Sequence, residues 1–185
     1  VFCLTDTDRY MVDLPHLRYP DMDVNQADTF AIPQIDRQQR IAVVFTSGST
    51  GTPQPHPKTW GALVSSVQAE AARLGLLQDT HCTLVGTVPP QHMYGFESTV
   101  LMAWHSGNAL SHAQPFYPAD ICQALAAVPM PRALISSPVH LRALLDAELA
   151  LPELSLVLSA TAPLSANLAC DIEARCHAPL MEIYG

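Results

Sequence analysis

The chain has 185 residues, 49% of them hydrophobic and only 14% charged, with seventeen acidic residues against nine basic ones and a formal charge of −8. This composition excludes an intrinsically disordered chain, which is poor in apolar residues, and a basic nucleic-acid binder. No run approaches the roughly 18 consecutive apolar residues of a membrane span, and the length suits one domain.

Val1–Leu4 reads as a first strand, followed by residues 13–40, an irregular surface segment rich in Asp, Gln and Pro. Ile41-Ala42-Val43-Val44-Phe45 is a short β-branched apolar run, which predicts a buried strand. The loop Thr46–Lys58 comes next. Trp60–Leu77 carries Leu63, Val67, Ala71 and Leu74 at helical spacing, with Gly75 as the stop. Thr83–Val88 predicts a strand, Phe96–His105 a helix ending at Gly107, and Ala109-Leu110 a short strand. Pro118–Val128 predicts a helix with Pro near its start. Ala133–Ile135 (strand), Pro138–Leu149 (helix), Leu156–Ser159 (strand), Leu164–Cys176 (helix capped near Ser165) and Leu180–Ile183 (strand) complete the pattern. Strands alternating with helices of this length predict an α/β fold, a largely parallel sheet flanked by helices. Met93 and Trp104 read as packing residues.

Five cysteines, Cys3, Cys82, Cys122, Cys170 and Cys176, form an odd set without CxxC spacing. They read as reduced thiols of a cytoplasmic protein. The eight histidines, His16, His56, His81, His92, His105, His112, His140 and His177, form no HxxxH or HExxH pattern. No metal site follows from them, nor from Cys170, Cys176 and His177 near one helix end. Charge is also low against roughly 25% in a typical domain. With no initiator Met, no signal peptide and apolar stretches at both ends, the chain reads as a piece of a larger core.

The chemistry concentrates in Thr46-Ser47-Gly48-Ser49-Thr50-Gly51-Thr52-Pro53. Gly48 and Gly51 permit positive φ and close backbone approach, and successive N–H groups then make an anion-binding concavity. The hydroxyls of Thr46, Ser47, Ser49 and Thr50 add donors for phosphate oxygens. The Walker spacing GxxxxGK[ST] is absent, and so is the GxSxG elbow. Lys58, the one lysine of the chain, lies seven residues after Gly51 and supplies a compact cation for phosphate.

The run Val43 through Pro53 resembles the signature loop of the adenylate-forming enzymes, which include acyl- and aryl-CoA synthetases, peptide-synthetase adenylation domains and luciferase. Three later segments resemble that family's motifs in the same order. Pro89-Pro90-Gln91-His92-Met93-Tyr94-Gly95 is similar to the segment whose His or aromatic lies by the carboxylate substrate. Ser159-Ala160-Thr161-Ala162-Pro163-Leu164 is similar to the turn that lines the adenine. Glu182-Ile183-Tyr184-Gly185 resembles the start of a motif whose aromatic stacks on adenine. The resemblance implies part of the large N-terminal AMP-binding domain over residues 1–185, without the C-terminal lid domain and its second lysine, and hence little turnover by these residues alone.

The resemblance further implies ATP-dependent activation of a small carboxylic acid, fatty or aryl, to acyl-AMP and pyrophosphate. Transfer to CoA or to the phosphopantetheine of an acyl carrier protein follows. Thr46, Ser47, Gly48, Ser49, Thr50 and Gly51 would hold phosphates, with Mg²⁺ bridging them because one lysine cannot neutralise ATP. Ala160, Thr161, Ala162, Pro163, Glu182, Ile183, Tyr184 and Gly185 would hold the nucleotide, Lys58 the developing charge, and His92 would face the acid.

Two departures stand out. The family places lysine directly after the proline, whereas here Gln54-Pro55-His56-Pro57 intervene on what reads as an extended polyproline path. Ala160-Thr161 replaces a common Gly-Gly pair. These departures motivate an alternative, a catalytically silent nucleotide-binding or interaction module derived from the family. A kinase-like α/β protein is disfavoured by the missing Walker pattern.

Overall fold

The computed structural model describes residues 3–5, 13, 16–18, 34–46, 54–77 and 81–184. The chain divides into two units, Val1–Gln34 and Ile35–Gly185. In the first, β1 (Cys3–Thr5) pairs in parallel with β2 (His16–Arg18), Leu4 opposite Leu17. The stretch 13–40 is therefore not wholly irregular, since β2 lies inside it. Most of its remainder, residues 19–33, is outside the described residues.

The second unit begins with a hairpin. β3 (Arg40–Thr46) runs antiparallel to β4 (Gln54–Thr59), with Thr46 opposite Gln54 and Ala42 opposite Lys58. This corrects two expectations. Residues from Gln54 onward form a strand and not a loop, because an antiparallel strand turns only alternate N–H groups toward its partner. Pro55 and Pro57, two apart, therefore need remove no ladder bond. Nor is β3 a buried strand of a parallel sheet: Val43 is 44% and Phe45 63% exposed among the described residues.

Helix α1 (Trp60–Leu74) follows directly. The Thr59 side chain accepts from the Ala62 N–H, and Gly75 closes the helix in the left-handed conformation (φ +69°), its N–H reaching Ala71 and Ala72 carbonyls. Glycine holds that conformation without a Cβ clash, which is why the helix stops there. Leu63, Val67 and Ala71, four residues apart, are its buried stripe.

A five-stranded parallel sheet has the order β6-β5-β7-β8-β9. Its strands are β5 (Thr83–Gly86), β6 (Ala109–Leu110), β7 (Arg132–Ser136), β8 (Leu156–Ser159) and β9 (Leu180–Glu182). Successive strand residues face opposite sides. Leu84, Ala133, Ile135, Leu156 and Leu158 pack with α1 residues in one core, whereas Val85, Leu134 and Val157 join a second. The second core is covered by α4 (Pro118–Ala126), α5 (Pro138–Asp146) and α6 (Ala166–Cys176). Pro at the first turn starts α4 and α5, and Ser165 caps α6 by accepting from Leu168 N–H.

Between β5 and β6 the chain forms α2 (Met93–Gly95), a π-helical turn (Phe96–Leu101) and α3 (Met102–Ser106). The expected helix over Phe96–His105 therefore starts earlier and is π-wound in its middle. Leu101 and Met102 are fully buried, while Trp104 is 69% exposed. The packing role expected of Trp104 is thus not found, because its position faces out from α3. Since β5 lies between β6 and β7, the connections diverge there, leaving a crevice at the strands' carboxyl ends, where open α/β sheets bind ligands.

Candidate functional site

The carboxyl edge of the sheet is tied together by polar contacts. The Thr87 and Ser136 hydroxyls, both buried, lie 2.9 Å apart at the ends of β5 and β7. The Tyr94 hydroxyl donates to the carbonyls of Ser136 at 3.1 Å and Leu158 at 3.0 Å, bridging β7 and β8. Burial, and then the charge of Glu70, push the Tyr94 phenol well up, so it stays a donor. Gly95 lets α2 lie against the backbone of Val88 and Pro89. A β-carbon there would sit 2.9 Å from the carbonyl carbon of Pro89 and 2.9 Å from the Val88 oxygen, closer than real β-carbons come to backbone.

Above this edge lies a cavity of about 590 Å³, within the usual range for small-molecule sites. Its walls come from six places: Lys58 on β4, Glu70 on α1, Met93 and Tyr94 on α2, Glu97 and Ser98 on the π-helical turn, and the two segments Ala160–Pro163 and Glu182–Tyr184. Three of the four sequence motifs are thereby brought together, with Lys58 among them.

The turn after β8 is fixed at two points. Ala160 N–H approaches the Ser136 carbonyl at 3.4 Å, and the Leu164 N–H donates to Glu182 Oε1 at 3.0 Å. The Glu182 carboxylate thus ties this turn to the end of β9. Thr161 sits at φ +81°, a left-handed conformation that a β-branched residue adopts only under constraint. Tyr184 is 93% exposed beside the turn, an open aromatic face available for stacking.

The electrostatics of the opposite segments are unusual. Glu70 is the one acidic residue of α1. Desolvation raises its pKa most; the Ser98 hydroxyl opposes this and the Glu97 charge adds to it. Its Oε1 is buried without a hydrogen-bond partner. Glu97 is also raised by burial and held down by Lys58. One cation and two desolvated carboxyls therefore share the cavity wall.

Other expected residues fall elsewhere. Ser47, Gly48, Ser49, Thr50 and Gly51 lie outside the described residues, as does Gly185. Thr46 ends β3, so the loop connects two antiparallel strands rather than a strand and a helix. Gln54 occupies the position directly after Pro53, on the first rung beyond the loop. Lys58 stands four residues further, about 14 Å along the strand, and does not extend the loop. His92 is exposed at the start of α2 without a capping bond and does not line the cavity; Met93 and Tyr94 do. Glu70, Glu97 and Ser98 escaped the motif reading. A signal was present for Glu70, which follows Val67 by three and precedes Leu74 by four, so it falls on the apolar stripe of α1.

A second cavity, about 650 Å³, lies between β6 and α4 and is lined by residues 110–115 with Asp120 and Gln123 among others. None of the motif segments reaches it. Among the described residues no group of three or more His, Cys, Asp or Glu is placed to hold a metal ion, and no helix is long and apolar enough to cross a membrane.

A family model described as AMP-binding enzyme matches residues 6–185. A 4-coumarate–CoA ligase of Halorhodospira halophila is 36% identical over 146 residues, covering 76% of this chain and 34% of the ligase. A 4-coumarate–CoA ligase of Rhodobacter capsulatus is 33% identical over 144 residues, covering 78% and 36%. The chain thus spans about a third of the length of these curated relatives. Among solved structures, a malonyl-CoA ligase ternary product complex with methylmalonyl-CoA and AMP bound superposes with a TM-score of 0.75 at 23% identity, over 98% of this chain and 40% of that one. ATP-bound MatB from Rhodopseudomonas palustris gives 0.72 at 20% identity, over 84% and 31%. These likenesses show a shared fold.

Proposed function

The chain belongs to the AMP-binding enzyme family, and on that premise we propose that it is part of the N-terminal domain of an ATP-dependent acid–thiol ligase. The observation that carries this reading is the single cavity that gathers Lys58, the Tyr94 segment, the Ala160–Pro163 turn and the Glu182–Tyr184 segment. In the first half-reaction a carboxylate oxygen attacks the α-phosphorus of ATP. A new oxygen–phosphorus bond forms, the bond to the bridging oxygen breaks, and pyrophosphate leaves. In the second half-reaction a thiol attacks the acyl carbon, and AMP leaves as the thioester forms.

The residues act by position and charge. Tyr184 offers a stacking face to the adenine and the Ala160–Pro163 turn forms its edge. Ser47, Gly48, Ser49, Thr50 and Gly51, with Thr46, would hold the phosphates, where Mg²⁺ would supply charge neutralisation. Met93 and Tyr94 form the acid's wall, with His92 at its rim. Lys58, beside Glu97, faces the charge that develops on transfer. The relatives' names support CoA as the acceptor and aryl acids as the first substrates to try.

The test is carboxylate-dependent ATP–pyrophosphate exchange by the full-length protein with a panel of aryl and fatty acids. Exchange with at least one acid is expected, and none with any acid refutes the reading. A silent nucleotide-binding module is the second reading, favoured by Gln54 at the position directly after Pro53. Lys58→Ala separates the two: slower exchange supports the ligase, and retained nucleotide binding in a protein without exchange supports the module.

A further inference from the structure

Strand β4 carries a second pattern besides its prolines. Side chains two apart on a strand share a face, so Gln54, His56 and Lys58 point to one side of the hairpin and Pro55 and Pro57 to the other. The register agrees: Gln54, His56 and Lys58 stand opposite Thr46, Val44 and Ala42, and the one irregularity lies beyond them, between Arg40 and Ala42. Lys58 lines the cavity, so the face it shares with Gln54 and His56 is the cavity side. His56 stands about 7 Å from Lys58 along the strand, towards the rung of Thr46, and Gln54 about 7 Å further. Pro55 and Pro57 fix φ and leave Gln54, His56 and Lys58 as the N–H donors available to the ladder over this stretch. Three polar side chains therefore leave a stiffened strand at even steps. Among the described residues that line the cavity, Lys58 is the one cation against the carboxyls of Glu70, Glu97 and Glu182, and its charge already acts on Glu97. A triphosphate needs more donors than one ammonium shared with a carboxyl. His56 and Gln54 are exposed and continue the row of donors away from those carboxyls.

We propose that Gln54, His56 and Lys58 form a phosphate track along one face of β4, and that His56 is a phosphate-binding residue whose imidazole N–H donates to the outer phosphates of ATP and to the pyrophosphate that leaves. This rests on the acid-activation reading above and adds to it a residue that belongs to none of the motifs. Lys58 meets the α-phosphate, where the acid attacks, and His56 and Gln54 meet the end that departs. A lysine four positions beyond Gln54 then marks the inner end of the track. AMP stops at the α-phosphate, so it reaches Lys58 and falls short of His56. The track therefore distinguishes ATP from AMP, and His56 contributes to that difference alone.

The experiment compares the full-length wild type with His56→Leu and His56→Gln. Titration calorimetry gives the Kd of ATP and of AMP, and ATP–pyrophosphate exchange gives KM for pyrophosphate and for the acid. In His56→Leu the Kd of ATP and the KM of pyrophosphate should rise roughly tenfold or more, the loss of one hydrogen bond to a charged group. The Kd of AMP and the KM of the acid should stay within about twofold, well under the effect of one such bond. His56→Gln keeps a donor and should regain part of the loss. His56→Ala takes the place of His56→Leu should the latter fail to fold. An ATP Kd unchanged in His56→Leu overturns the track, and acid activation stands if exchange persists. A parallel rise for ATP and AMP also overturns it, because a disturbed hairpin weakens both alike. A wild type without exchange on any acid, whose ATP affinity nonetheless falls in His56→Leu with AMP unaffected, overturns acid activation and supports the track. A wild type that binds no ATP overturns both readings together.

Discussion

Replacing Tyr94 by Phe removes one hydroxyl from the point where β7 and β8 end beneath the cavity. That hydroxyl has one proton and two acceptors, at 3.1 and 3.0 Å, so it makes a shared bond whose net worth is about 0.5–1.5 kcal/mol. Ring packing survives the change. The larger loss is at the acceptors. Ser136 carbonyl is left with the long 3.4 Å approach of Ala160 N–H, and an unsatisfied buried acceptor costs about 1–3 kcal/mol. The two figures describe the same event from either side, so the expected destabilisation is about 1–3 kcal/mol in total. For a domain of this size it corresponds to a fall in Tm of about 2–12 °C. Thermal unfolding of the full-length protein measures it, and hydrogen exchange locates it. The amides of Ala160 and Ile183, which bond to the Ser136 and Ser159 carbonyls, should exchange faster. A Tm within about 1 °C of wild type, with unchanged exchange at both amides, refutes the bridging role.

Thr161→Gly should stabilise the protein. Relief of the left-handed strain gives roughly 1–2 kcal/mol, and the extra freedom of glycine in the unfolded chain takes back roughly 0.5–1; a lower denaturation midpoint refutes the strain. Glu182→Ala frees the Leu164 N–H and loosens the turn, so the KM for ATP should rise roughly threefold to tenfold with a smaller change in kcat; an unaltered KM means the tie is structural only. Among the described cysteines, Cys170 is exposed, while burial pushes Cys82 and Cys176 up to about 11. At pH 7.5 a thiol-alkylating reagent followed by peptide mass spectrometry should find Cys170 modified first, and prior labelling of Cys82 or Cys176 contradicts their burial.

The local rules of helix and strand made much of this fold legible. Leu156–Ser159 is a strand with the bounds its apolar run predicts, and Gly75 ends α1 where a left-handed stop is expected. Two features were hidden because a tertiary partner decides them. The Pro55 and Pro57 pattern speaks against a strand until an antiparallel neighbour removes the objection, and the apolar run Ile41–Phe45 speaks for burial in a sheet that it does not join. Motif order located the turn after β8 and the segment after β9. It pointed to His92 for the cavity wall, where the structure has Met93 and Tyr94, because a turn of helix decides which neighbour faces inward. Glu70 belongs to no motif and becomes visible only as a charge on an apolar stripe.

The π-helical turn at Phe96–Leu101 makes the pocket wall sensitive to length as well as to side-chain identity. A π turn accommodates one residue more than an α turn, and removing any one residue from it restores ordinary winding. The residues on its amino-terminal side would then rotate by about 100° relative to α3, the angle one residue subtends in an α-helix. Tyr94 would leave the strand carbonyls, and Glu97 would trade places with a neighbour. A single in-frame codon deletion can therefore redraw the lining of this cavity, together with the part of the first core against which Met93, Tyr94 and Phe96 pack, a larger step in recognition than most single substitutions can make.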